Sequence, residues 1–147
     1  MIEARTSTPS ATNDLLNRLL YQIAAHDRAA FRRMYAFLVM RVWRDAVRAM
    51  PHAADARAVT RSTFVEVWHL AGHHRHHARA DILIWVAAIT ARQVDDRIRR
   101  PDPPWPMLAD ADRHVQNELA ALLGAGHATV RTGPTAFARI DLQRDLS

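Results

Sequence analysis

The sequence predicts an all-α protein: a compact four-helix domain, a proline-rich linker and a short C-terminal helix. Three observations support this fold class. Apolar residues recur at three- and four-residue spacing in four successive segments, which is the pattern of an amphipathic helix. No segment alternates polar and apolar residues as a β-strand does, and no internal repeat is present. The 147 residues are 49% hydrophobic and 24% charged, enough for one domain with a buried core.

The first two helices are defined by their apolar residues and by their predicted ends. The first follows an N-cap within residues 12–14. The second spans about residues 27–50 and stops at Pro51, because proline cannot extend a helix. Its apolar stripe comprises Phe31, Met34, Tyr35, Leu38, Val42, Ala46 and Val47.

The third helix covers about residues 54–71 and ends at Gly72, and the fourth spans about residues 79–99. A histidine-rich break, residues 73–77, separates them. Prolines between Pro101 and Pro106 predict an extended linker, and a weaker helix follows within residues 109–123. The apolar residues of the third and fourth helices are Val59, Phe64, Val67, Leu70, Ile82, Trp85, Val86, Ile89 and Val94.

These segments predict four parts of the chain. Residues 1–12 are expected to be a flexible N-terminus and residues 13–100 a helical domain. Residues 101–108 are expected to be the linker, and residues 109–147 a short helix with a loose tail. Trp43, Trp68 and Trp85 fall at helical spacing and are expected in the core, whereas Trp105 stands among the prolines.

The composition excludes several classes of protein. There is no cysteine, so disulfides, thiolate zinc sites and a cysteine nucleophile are excluded. No apolar run approaches the roughly 18 residues of a membrane span. Residues 1–13 lack the apolar centre of a secretory signal. We therefore expect a soluble cytoplasmic protein.

The charge of the chain is uneven. All 20 basic residues are arginine, and the net charge is +5. Residues 1–100 hold 16 Arg against nine acidic residues, whereas residues 101–147 hold four against six. A basic domain with an acidic tail favours a polyanionic partner.

No catalytic constellation is present in the sequence. It lacks a nucleophile elbow, a glycine-rich phosphate loop and a His-Glu-x-x-His pair. Asp95 and Asp96 are adjacent, but neighbouring helical side chains point about 100° apart and cannot form a carboxylate dyad. The sequence predicts a protein that is not an enzyme and needs no cofactor.

Three sequence blocks carry a family resemblance. They are AFRRMY at 30–35 followed by RVW at 41–43, VTRSTFVEVW at 59–68, and WVAAI at 85–89 leading to DRIRR at 96–100. In order and spacing, they resemble region 2 of the extracytoplasmic-function (ECF) sigma factors of bacterial RNA polymerase. The resemblance covers about residues 13–100.

The resemblance implies a compact helical domain with two partners. Region 2 grips the clamp helices of the polymerase β′ subunit and opens promoter DNA at the −10 element during transcription initiation. The helix-turn-helix domain that reads the −35 element, region 4, has no counterpart in the 47 residues after Arg100. We therefore expect a protein with region 2 alone.

The resemblance also implies a polymerase-binding face on the third helix, formed by Arg57, Ala58, Arg61, Ser62, Val65 and Glu66. The family carries an acidic pair where this chain has Arg57 and Ala58, and Gln-Glu where it has Arg61 and Ser62. On a partner surface that binds carboxylates, arginine turns attraction into repulsion. The sequence is therefore compatible both with polymerase binding and with its loss.

Two further groups are candidates for contact with a melted DNA strand. At the end of the fourth helix they are Arg92, Gln93, Asp96, Arg97, Arg99 and Arg100. Arginine holds phosphates and stacks on unpaired bases, and Asp96 is spaced to orient Arg92 or Arg100. The alternative is a solvated basic helix end.

The second group is His73, His74, Arg75, His76 and His77, which lie where the family has the loop that receives a flipped base. Adjacent imidazoles stack on bases or contact phosphate when protonated. The alternatives are a solvated loop and a metal site, the latter disfavoured because Asp81 is the only nearby carboxylate.

Three functions follow from these patterns. The first is a sigma-like initiation factor that binds core polymerase and single-stranded −10 DNA. The second is a degenerate sigma-like module that binds an anti-sigma factor, another regulator or a second copy of itself without initiating transcription. The third is a non-specific nucleic-acid binder.

Overall fold

The computed structural model describes residues 3–74, 81–100 and 105–124, which form five α-helices. They are α1 (Glu3–Ala24), α2 (Arg28–Ala49), α3 (Ala53–His74), α4 (Ile82–Arg99) and α5 (Trp105–Leu123). These ranges contain no strand, which confirms the all-α prediction for the described chain. The histidine-rich residues 75–77, the prolines up to residue 104 and the tail from residue 125 lie outside the described residues.

One main core joins the five helices. Its largest fully buried side chains include Leu16, Phe31 and Phe64. Phe64 meets Tyr35 edge to face with ring centroids 4.7 Å apart, and Phe31 meets Trp68 in the same way at 5.5 Å. Burying each such side chain stabilises the fold by roughly 1.5–3 kcal/mol.

The predicted bounds of α2 are confirmed. The Asp27 carboxylate caps the helix by accepting hydrogen bonds from the backbone N–H groups of Ala29 and Ala30, at 2.9 and 3.2 Å. The C-cap is Met50, directly before Pro51. Val47, however, was expected in the apolar stripe and is exposed, because it follows the buried Ala46 and points about 100° away from it.

The predicted N-cap of the first helix is wrong, because residues 12–14 lie inside α1. Asn13 instead helps to cap α4: its Oδ1 accepts a hydrogen bond from the backbone N–H of Ile82 at 3.0 Å. Asp81 caps the same helix through the N–H groups of Leu83 and Ile84. Helix α4 therefore begins at Ile82, three residues later than the sequence predicted.

The end of α3 also differs from the prediction. Gly72 does not terminate the helix, which continues to His74. The His74 ring is buried and stacks on Trp85, with centroids 4.3 Å apart and planes 23° from parallel. This packing offsets the roughly 1 kcal/mol that a helical glycine costs.

The four-helix count and the linker of residues 101–108 are not confirmed, because five helices are described and α5 begins at Trp105. Pro106 falls in the first turn, where its missing N–H needs no partner. Three leucines near the C-terminal end of α5, Leu119, Leu122 and Leu123, are buried in the main core. Gly124, with φ +87°, ends the helix. The fifth helix is thus an integral part of the domain.

The tryptophan prediction holds in part. Trp68 and Trp85 are partly buried against the main core. Trp43 packs against a smaller cluster formed by Ala46, Met50, Ala56, Val59 and Val94. The side chain of Trp105 lies outside the described residues.

Candidate nucleic-acid and polymerase interface

Glu66 joins the two surfaces that the sequence assigned to polymerase and to DNA. Its carboxylate on α3 forms an ion pair with Arg92 of α4. It also accepts a hydrogen bond from Nε2 of Gln93 at 2.5 Å. The expected pairing of Asp96 with Arg92 is therefore replaced by a contact between helices. Arg92 is held at its inner side while 53% of its side chain remains exposed.

Arg97 lies in an ion-pair cluster that connects three helices. Its Nε donates to Asp55 Oδ1 of α3 at 2.8 Å. Its Nη1 and Nη2 donate to the two carboxylate oxygens of Asp112 on α5, at 3.1 and 3.0 Å. Hydrogen bonding to Asp112 raises the pKa of Arg97, with Asp55 contributing and burial opposing. Only 16% of this side chain is exposed, so its donors serve the protein interior.

The remaining candidates on α4 are exposed. Asp96, Arg99 and Arg100 surround the C-terminal end of the helix, where the Arg100 N–H donates to the Asp96 carbonyl at 3.2 Å. Arg99 and Arg100 form no ion pair with any described residue. Together with Arg92 they present the open cationic groups of this helix end.

The proposed polymerase face of α3 is only partly accessible. Ala58 and Val65 are buried, whereas Arg57, Arg61 and Ser62 are partly buried. Burial, reinforced by the neighbouring charge of Arg57, lowers the pKa of Arg61, and Asp112 and Tyr35 oppose the shift. This stretch of α3 therefore carries two close arginines in a half-desolvated setting.

Helix α5 lies against the same stretch. Asp112 and Val115 share a cavity of about 100 Å³ with Ser62. One turn further along, the His69 ring contacts the Glu118 carboxylate at 2.5 Å between Nε2 and Oε1. Helix α5 thus covers one side of the face that the resemblance assigned to polymerase.

The histidine group is not a single surface. His73 is exposed in the last turn of α3, whereas His74 stacks on Trp85 in the interior. The prediction of a loop at both positions is wrong, because α3 continues through His74. The helix turns the two neighbouring side chains about 100° apart. Arg75, His76 and His77 lie outside the described residues.

Sequence reasoning missed the acidic residues that organise this region: Asp55, Asp112 and Glu118. Arg97 is separated from Asp55 by 42 positions, and no pattern in the sequence around either residue predicts that pair. One signal was available for α5: apolar residues at positions 115, 119, 122 and 123 follow helical spacing and indicate a packed face.

Comparison with known proteins identifies similar chains in one family. The ECF RNA polymerase sigma factor SigK of Mycobacterium tuberculosis is 30% identical over 94 residues, 64% of this chain and 49% of the relative. The corresponding protein of Mycobacterium bovis gives the same values. That of Mycobacterium ulcerans is 31% identical over 91 residues, 62% of this chain and 48% of the relative. The resemblance to ECF sigma factors is confirmed.

The similarity to sigma factors covers only part of the relatives' length. The chain spans about half the length of the curated relatives it matches. No family model and no solved structure matches it. Among the described helices of this sigma-like chain, none is long and apolar enough to cross a membrane.

Proposed function

We propose that this protein is a non-enzymatic, sigma-like transcription regulator that acts in the bacterial cytoplasm. It binds core RNA polymerase through α3 and captures the single-stranded −10 element at the end of α4. The observation that carries the proposal is the similarity to a named ECF sigma factor over 64% of the chain. The exposed arginines of α4 supply chemistry that suits this function.

The DNA strand is bound by the open cationic groups of α4. Arg92, fixed by Glu66, holds phosphates or stacks on unpaired bases, as do Arg99 and Arg100, which form no ion pair with a described residue. Arg97 is a positioning residue, because its donors are engaged by Asp55 and Asp112. Its role is to fix the end of α4 relative to α3 and α5.

Polymerase is bound through the accessible edge of α3, where Arg57, Arg61 and Ser62 remain partly exposed. The basic character of this edge departs from the family pattern. Binding through this edge requires a clamp-helix surface that accommodates arginine.

A second candidate function is a sigma-like module that binds a regulatory protein, such as an anti-sigma factor, without initiating transcription. Two observations favour it. Arg57 and Arg61 stand where the family is acidic and amide-rich, and α5 lies against the same part of α3. Either feature weakens a polymerase contact.

Binding to core polymerase separates the two functions. The full chain is mixed with bacterial core polymerase, or with the isolated β′ clamp helices, and followed by size exclusion and titration calorimetry. A complex of micromolar or tighter affinity supports initiation. The absence of a complex, with a folded protein, rejects it and leaves the regulatory module.

The DNA contact is tested with a −10 oligonucleotide by fluorescence anisotropy. The Arg99→Gln/Arg100→Gln variant is compared with Arg18→Gln/Arg113→Gln, which removes the same charge from α1 and α5. We expect a larger loss of affinity in the α4 variant. Equal losses would show that only net charge matters and would reject α4 as the binding site.

A further inference from the structure

Among the described helices, α2 carries the most arginines without an ion-pair partner in the described chain. This helix carries six arginines and one aspartate, which gives +5, the same as the net charge of the chain. All six arginines are exposed, and none forms an ion pair with a described residue. On α4, by contrast, Arg92 and Arg97 are occupied by carboxylates.

Part of this charge surrounds exposed apolar side chains. Phe37, Arg41, Arg44 and Arg48 follow each other at steps of four, three and four residues and share one face of α2. Met40 lies beside Phe37, and the two side chains are 52% and 54% exposed, respectively. An exposed phenylalanine and methionine thus lie next to three arginines that form no ion pair with a described residue.

A groove runs along this face. It has a volume of about 790 Å³ and is walled by α2, by Thr12 and Asn13 of α1, and by Asp81 and Leu83 at the start of α4. Of the two carboxylates in its lining, Asp81 is engaged in capping α4, and Asp45 forms no ion pair with a described residue. Three arginines thus outnumber the acidic groups. We call this feature the α2 groove, formed by Phe37, Met40, Arg41, Arg44 and Arg48 with those walls.

We propose that the α2 groove binds single-stranded nucleic acid. Its three guanidinium groups suit phosphates, and the exposed Phe37 ring suits a stacked base. A duplex would satisfy the arginines but keeps its bases stacked inside, which leaves Phe37 and Met40 without a role. An extended strand uses both components of the groove.

An acidic amphipathic helix fits the groove less well. Helix docking requires apolar anchors at successive turns of the receiving surface. Here Arg41, Arg44 and Arg48 line the groove beyond Phe37 and Met40, and the exposed Val47 is not among the lining residues. One apolar turn followed by three cationic positions matches a charged backbone better than a helical partner.

This inference goes beyond the proposed function, because it requires neither polymerase nor the end of α4. It assigns the chain a second strand-binding surface on a different helix. The two proposals can therefore fail separately.

The test measures binding of the full chain to a 12-residue oligothymidylate by fluorescence anisotropy over a range of salt concentrations. The variant Arg41→Gln/Arg44→Gln/Arg48→Gln is compared with Arg18→Gln/Arg28→Gln/Arg32→Gln, which removes the same charge from exposed positions outside the groove. Circular dichroism verifies that both variants fold. Because each phosphate contact on a single strand contributes roughly 0.7 to the log–log salt slope, the groove variant should lower that slope by about 2.

Phe37→Ala provides a second, uncharged variant. It should weaken oligothymidylate binding by about 5- to 150-fold, the range measured for a lost base stack, with no change in the salt slope. A surface that attracts phosphates only through net charge would leave this variant unaffected. That result would overturn the proposal.

Several further results would decide whether the α2 groove binds a strand. Equal loss in the groove variant and its control, or tighter binding of the matching duplex or of a glutamate-rich helical peptide, overturns the inference. If only Arg99→Gln/Arg100→Gln abolishes strand binding, the α2 groove is rejected while the proposed function stands. If strand binding depends on the groove but the protein forms no polymerase complex, the α2 groove is supported and the polymerase-binding function is rejected.

Discussion

Arg97 of α4 holds Asp112 of α5 through two parallel hydrogen bonds of 3.1 and 3.0 Å. The same guanidinium reaches Asp55 of α3 at 2.8 Å, so one side chain joins three helices. Bidentate pairing of this kind fixes orientation as well as distance. Arg97, which the sequence analysis proposed for DNA contact, therefore joins α5 to α3 and α4.

Replacing Arg97 with alanine should destabilise the domain. The variant leaves the Asp55 and Asp112 carboxylates partly buried without a cation. Since both are about one-third exposed, solvent screens part of the penalty, and we expect a loss of about 1–3 kcal/mol in the free energy of unfolding. Urea denaturation measures this loss.

The matched control for that variant is Arg113→Ala. Arg113 pairs with Asp110 at 3.6 Å on the surface of α5, and both side chains are exposed. An exposed pair contributes roughly 0–1 kcal/mol, so the urea midpoint should hardly move. Similar losses in the two variants would contradict the role given to Arg97.

Leu119→Ala tests whether α5 unfolds together with the other helices. Leu119 is buried in the main core, so truncation should cost about 2–4 kcal/mol and shift a single cooperative transition. Met107→Ala, at an exposed position of the same helix, should leave the midpoint within about 0.5 kcal/mol. A separate early transition for α5 would contradict the integrated five-helix domain.

Tyr35 should make the stability of the domain sensitive to alkaline pH. Burial raises the pKa of Tyr35, and the positive charge of Arg61 opposes the shift only in part. The folded state therefore favours the neutral phenol. This stabilisation is fully present below the unfolded pKa of about 10 and is lost as pH rises through the higher folded pKa.

Denaturation of the wild type and of Tyr35→Phe at successive pH values from about 9 upward measures that effect. The wild type should lose stability above pH 10 more steeply than Tyr35→Phe. Tyr21→Phe alters an exposed tyrosine and should retain the wild-type slope. Parallel curves for wild type and Tyr35→Phe would show that other groups cause the alkaline loss.

Restoring a carboxylate on α3 should strengthen polymerase binding. If the clamp helices present the surface that the family recognises, Arg57→Asp replaces a repulsive charge with an attractive one. We expect affinity for the isolated clamp helices to rise by about tenfold, equivalent to roughly 1.4 kcal/mol. Arg18→Asp on α1 carries the same charge change and should have little effect. Unchanged affinity in Arg57→Asp would indicate that the α3 face does not contact the clamp helices.

Local sequence signals predicted those features that local chemistry controls. Helix α2 ends with its C-cap directly before Pro51 as predicted, because proline cannot extend a helix. The buried stripe through Phe31, Met34 and Leu38 follows from the 3.6-residue period. The three family blocks predicted a similarity that the comparisons confirmed.

The sequence mispredicted helix ends where residues distant in the chain form contacts there. Asn13 was expected to cap its own helix but caps α4, because folding brings the Ile82 N–H within 3.0 Å of its side chain. Gly72 failed to end α3 because stacking of His74 on Trp85 stabilises one more turn. Neither partner is visible from the neighbouring sequence.

The sequence by itself determined the helical fold class, the concentration of arginine and the resemblance to sigma factors. Composition and periodicity are properties of the chain before it folds. Only the tertiary structure decided which arginines of α2 and α4 pair with a described residue, since the pairs of Arg92 and Arg97 depend on carboxylates from other helices. Glu66 engages Arg92, and Asp55 and Asp112 engage Arg97, whereas the arginines of α2 form no ion pair within the described part of the chain.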